Sequence, residues 1–270
     1  MTNIESIITL ARHYCIENYD YWFKKYSHEK SGQMYSDKDY DLFPRYNVLT
    51  AILQEIESII DKKYYFVNDC IEELKIIGSI AQTIFTENEK NRIANNAMND
   101  ERNKFVYFVE NIIKNDLNNV SPLPYNRKLS KIESKEIREK LFSIWKFDGG
   151  YWEHSKDKNE VIFLMDKYIT ESDRTKIVEY ISKHNRKYYT VDEMENDYET
   201  EIIEICGCET VYTNINFEWI IYISHEMYVA FSGVFLIRFL NDIFSDRMEK
   251  INIYDPEFKL QVQRKPDKVF

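Results

Sequence analysis

The chain has 270 residues with 44% hydrophobic and 30% charged side chains, enough apolar material for one large core or two ordinary ones. A formal net charge of -10 sets its surface against phosphate backbones and anionic membranes, so neither nucleic acid nor membrane is an expected partner. Aromatics at 15%, with only 6 Gly and 5 Pro, exclude long disorder and predict long regular elements.

Residues 3 to 27 carry Ile4, Ile8, Ala11, Cys15, Tyr19, Trp22 and Tyr26 at three- and four-residue steps, the stripe of an amphipathic helix. Thr2 followed by Glu5 reads as its capping box. A polar stretch over 28–43 reads as a loop, and Pro44 suits the first turn of a second helix through Ile52 and Ile56. A third helix is expected over Tyr65–Phe85, weakened at Gly78 by about 1 kcal/mol against Ala. A fourth is expected over Glu89–Leu117. Pro122 and Pro124 then break the pattern, so the spacing predicts a helical domain over 1–120 and a linker over 121–130.

The remainder, 131–255, alternates short strands and helices and predicts an α+β domain with a mainly antiparallel sheet. Ser130 and Glu133 form a second capping-box pattern before a helix near Ile132–Phe142. Trp145 to Trp152 reads as two short aromatic strands about an Asp-Gly turn. Val161–Met165, Tyr188-Tyr189 and Glu201–Cys206 read as strands, and Asp173–His184 as a helix facing inward through Ile177, Val178 and Ile181. Phe217 to Phe239 is the most informative stretch. Trp219–Ile223 is apolar on both faces, Ser224-His225-Glu226 is a polar turn, Tyr228–Phe231 is a second strand, and Gly233 launches an apolar helix. Residues 256–270 form a tail.

Chemistry-bearing patterns are few. Cys206-Gly-Cys208 is one half of a metal knuckle and lacks a second pair, so no metal or cofactor is expected. Phosphate-cradle motifs and HExxH are absent. His225 and Glu226 are the candidate catalytic residues of an enzyme reading, but neighbours on an extended chain face opposite ways and need partners from elsewhere. His154 and His184 flank other loops without a spacing that joins them to His225.

The sharpest electrostatic feature is 191–209, with eight carboxylates in nineteen residues and no Lys or Arg. Asp192, Glu193, Glu195, Asp197, Glu199 and Glu201, with Tyr198 and Trp219 as aromatic anchors, make a candidate docking face for a basic protein. A solvated loop is the plainer alternative. The order strand, acidic segment, Trp219-Ile-Ile-Tyr-Ile-Ser-His-Glu226, then Phe231-Ser-Gly233 and a closing helix resembles bacterial immunity proteins that neutralise polymorphic toxins. The resemblance covers the second half only. It implies a cytoplasmic, non-enzymatic inhibitor that occludes a basic toxin, with no binding residues transferable. The competing readings are an enzyme built on His225, and a scaffold or homodimer working through the first helix and Trp22. The N-terminus has no basic start or long apolar run, which fits a reduced cytoplasmic setting.

Overall fold

A computed structural model describes residues 2–30, 32, 35–87, 89–149, 152, 160–205 and 209–253. The chain is α+β and divides into two compact units, Met1–Lys128 and Leu129–Phe270. Among the described residues no helix is long and apolar enough to cross a membrane.

The first unit contains α1 (Asn3–Glu29), α2 (Asp37–Ser58), α3 (Val67–Ile80) and α4 (Arg92–Glu110), then a 3-10 turn at Ile112–Lys114 and a short strand β1 (Asn126–Lys128). Thr2 and Glu5 close the expected capping box. The second helix starts at Asp37, seven residues before Pro44, because Ser36 and Asp39 form a further capping box that overrides the expected loop. Pro44 therefore lies inside the helix, which forgoes one backbone bond there. α3 stops at Ile80 rather than Phe85. Beyond it, the Thr86 hydroxyl accepts from the Thr83 amide at 2.8 Å and donates to the Thr83 carbonyl at 3.2 Å, which offers the chain an alternative to helix. α4 is likewise shorter than expected, with Asn91 accepting from the Ile93 and Ala94 amides at its start.

Ile7, Ile8, Ala11, Cys15, Ile52, Ile56, Leu74, Phe105 and Val109 make this unit's core. Only the first half of the α1 stripe reaches it; Tyr19, Trp22 and Tyr26 are half-buried. Trp22 is ringed by cations, with Arg45 at 4.8 Å, Lys25 at 5.1 Å and Lys104 at 5.7 Å from its ring centroid. This packing leaves Trp22 half-buried rather than fully exposed. Two ion pairs are buried here, Arg12–Glu57 at 3.1 Å and Arg45–Glu101 at 2.7 Å. Burial pushes the Glu57 carboxyl up, against the pull of Arg12.

The second unit contains α5 (Lys131–Trp145), β2 (Val161–Met165), α6 (Glu171–His184), β3 (Tyr188–Asp192), β4 (Tyr198–Thr200), β5 (Thr210–Asn214), β6 (Ile220–Ser224), β7 (Tyr228–Ser232) and α7 (Val234–Ile243). Its strands lie in the order β4-β3-β5-β6-β7-β2, and each pairing is antiparallel. Ile221 stands opposite Phe231 and Ile223 opposite Val229 on one face, packed with Ile177, Ile181, Leu236 and Leu240 of α6 and α7. Ile220, Tyr222, Tyr228 and Ala230 point to the other face, against Ile137, Leu141 and Trp145 of α5. Both faces are covered, so β6 and β7 are buried at every position and apolar or aromatic up to their closing Ser224 and Ser232, and the central strand–turn–strand–helix stretch folds as its sequence predicts.

Three expected strands, two within Trp145–Trp152 and one over Glu201–Cys206, do not form among the described residues. Trp145 is the last residue of α5, and Lys146 ends that helix in the left-handed region (φ 59, ψ 21). Phe147 and Trp152 pack beneath the sheet instead, with the Trp152 indole donating to the Trp145 carbonyl at 2.6 Å. Around Glu201, β4 ends at Thr200, whose hydroxyl accepts from the Ile202 amide at 3.0 Å and turns the chain. Ile203 and Ile205 then enter the core as coil. Cys206, Gly207, Cys208, His154 and the tail 256–270 lie outside the described residues.

Candidate functional site

The acidic run folds as the β3–β4 hairpin and the segment that follows it. At the end of β3 the Asp192 carboxylate accepts from the amides of Met194 (2.9 Å) and Asn196 (2.8 Å), closing a tight turn. Glu195 completes that turn with φ 57. Asp197 points inward and is 1% exposed. Arg138 of α5 grips it with two bonds of 2.7 Å, from Nε and Nη2, and the Ser134 hydroxyl donates to the same carboxylate. Arg138 also donates to the carbonyls of Asp192 (2.6 Å) and Gly149 (3.2 Å). One guanidinium therefore ties both strands of the hairpin to α5 through charge-assisted bonds.

The predicted binding residues thus separate. Glu193, Glu195 and Glu201 face solvent; Asp192, Tyr198 and Glu199 are half-buried. Glu199 pairs with Lys187 at 3.0 Å. Asp197 and Trp219 are corrections to the expected face, because both are inside the unit. Trp219 packs in the sheet core and donates its indole N–H to Asn185 at 3.1 Å. Sequence reasoning missed Met194, exposed between the two glutamates at the tip, and missed Arg138 altogether. Met194 was legible as an apolar residue inside an acidic run; nothing local marks Arg138.

The second candidate is the β6–β7 turn. His225 does not work with Glu226, which is half-buried and donates its amide to the Ser224 hydroxyl at 3.1 Å. Its partner is Glu209, 4% exposed and held with φ 46. Glu209 accepts from the Tyr222 hydroxyl at 2.5 Å and from the His225 amide at 3.0 Å, and its Oε1 lies against His225 Nδ1. A carboxylate only accepts, so Nδ1 carries the proton and Nε2 is left for other partners. The His225 side chain is 59% exposed, open to water rather than closed in. Among the described residues no three His, Cys, Asp or Glu side chains gather to hold a metal ion.

No protein-family model matches the chain, and comparison with curated proteins and with solved structures finds no match.

Proposed function

We propose that the chain is a non-enzymatic binding protein that occludes a basic protein partner, of the toxin-neutralising kind, with the β3–β4 hairpin of its second unit. The observation that carries this reading is the contrast within the hairpin. Its base is locked to α5 by Arg138 and Asp197, while Glu193 and Glu195 stand exposed at its tip without an ion pair among the described residues. Exposed carboxylates on a preorganised loop speed the approach of a basic surface and lose little entropy on docking. Each exposed ion pair is weak alone, so Met194 supplies the apolar contact that holds the complex. The buried free thiols Cys15 and Cys70 suit a reduced, cytoplasmic setting.

The test is capture of partners by the wild-type chain beside a Glu193→Lys/Glu195→Lys/Glu201→Lys variant, followed by association kinetics over a range of salt. A basic partner whose association slows with salt, and which the variant releases, supports the reading. A partner indifferent to the reversal sinks it.

A second reading rests on the Glu209–His225 contact, where a buried carboxylate orients an exposed imidazole as in general-base sites. It expects His225→Gln to abolish turnover in a panel of ester, amide and phosphodiester substrates. A wild-type chain inert across the panel ends it.

A further inference from the structure

A cavity of about 420 Å³ opens at the junction of β7 and α7, near the sheet edge opposite the β3–β4 hairpin. Arg238 and Asn241 line it from α7, and Glu160 and Glu218 line it from the segments that lead into β2 and β6. Opposite charges share this space, yet Arg238 forms no ion pair with either carboxylate. Glu218 is held in place: its Oε2 accepts from Asn214 Nδ2 at 2.7 Å and its amide donates to Asn214 Oδ1 at 2.8 Å. The mouth of the cavity is also the start of α7. Gly233 caps it at φ 112, in a space where a Cβ would lie 2.6 Å from the Glu218 carbonyl oxygen, so no capping side chain can stand there. The amides of Leu236 and Ile237 bond the Gly233 carbonyl, while those of Val234 and Phe235 precede the first helical bond. Finally, Trp145 forms part of the wall and is 4% exposed.

We infer that this cavity binds a small zwitterion of the α-amino acid class. Its carboxylate meets Arg238 and the first amides of α7, its ammonium meets Glu160 and Glu218, and its side chain lies over Ile237 and Trp145. A simple anion is opposed by two carboxylates, and a simple cation by Arg238 and the positive end of α7. Only a ligand carrying both charges answers the charged groups of both signs, and the volume falls in the range of small-molecule sites. The inference stands apart from the docking hairpin, and charge reversal there leaves it untouched.

The test uses the whole chain labelled with 15N, following the Trp145 indole resonance, identified with Trp145→Phe, while the common free L-amino acids are added singly. At least one is expected to shift that resonance saturably. Its α-amide and its N-acetyl derivative, each lacking one charge, are expected to bind about tenfold more weakly. Arg238→Ala erases the difference between acid and amide, and Glu160→Gln/Glu218→Gln erases the difference between free and acetylated amine. Calorimetry with Arg238→Ala, an exposed side chain, reads the same preference should Trp145→Phe not fold. If no free amino acid binds, or if the neutralised derivatives bind as well as the parent, the inference is wrong.

Discussion

Arg138→Met would leave the Asp197 carboxylate, 1% exposed, with the Ser134 hydroxyl as its remaining side-chain donor. Removing one partner of a buried pair costs about 3–5 kcal/mol, because the other charge stays out of water without compensation. The Arg138 side chain is 20% exposed and already partly hydrated, which places the loss near the low end, about 3 kcal/mol. In a Trp22→Phe background the remaining tryptophans (Trp145, Trp152 and Trp219) all belong to the second unit, so fluorescence follows that unit alone. With a urea slope of about 2 kcal/mol per molar, the midpoint should fall by about 1.5 M. Replacing both partners, as Arg138→Met/Asp197→Leu, removes the stranded charge and should recover most of the loss. A single variant costing under about 1 kcal/mol, or a double variant worse than the single, would refute the bracing role assigned to this pair.

Further expectations concern the cores and the acid limb of stability. Gly78→Ala should gain about 1 kcal/mol of helix propensity, but its Cβ would lie 2.4 Å from a Phe105 ring carbon in a fully buried cluster. Overpacking costs about 1–3 kcal/mol, so a lower Tm is expected, and a higher one would contradict the packing of α3 on α4. Burial alone would raise the Asp173 carboxyl, but hydrogen bonds from Thr170 and the Arg247 guanidinium outweigh it and hold the group below its usual range. A depressed acid stabilises the fold above its unfolded value of about 3.9, and that stabilisation disappears as pH falls through the folded value. Asp173→Asn should therefore flatten the loss of stability on acidification, and urea midpoints measured from neutral to acid pH that match wild type would exclude this. Burial pushes the Cys70 thiol to about 11 and Cys15 well above its ordinary value. In a Cys206→Ser/Cys208→Ser background neither should react with a disulfide reagent at about pH 8 until denaturant is added. Rapid labelling of the native chain would show that one of them opens to solvent.

Much of the fold was legible because its signals act over three or four residues. Thr2 with Glu5, and Ser130 with Glu133, announce helix starts through bonds each pair makes within one turn. Continuous apolar character in Ile220–Ile223 announces a strand covered on both faces, and Gly233 a turn that no side chain fits. Element ends were less legible. Pro44 marked a helix start that Ser36 and Asp39 had already made, and the Thr83–Thr86 turn competed with the helical period.

The candidate site was legible only as composition. The order of elements, the antiparallel sheet and the acidity of 191–209 are properties of neighbouring residues, and the sequence by itself determined them. The depth of each carboxylate is set by partners far along the chain. Arg138 lies 59 residues from Asp197, and Glu209 lies 16 from His225. No periodicity encodes such separations, because both ends are chosen by how α5 and the strands stack in space. Tertiary structure alone therefore turned Asp197 into a buried brace, sent Trp219 into the core, left Glu193 and Glu195 at the tip, and gave His225 a carboxylate that its own turn does not supply.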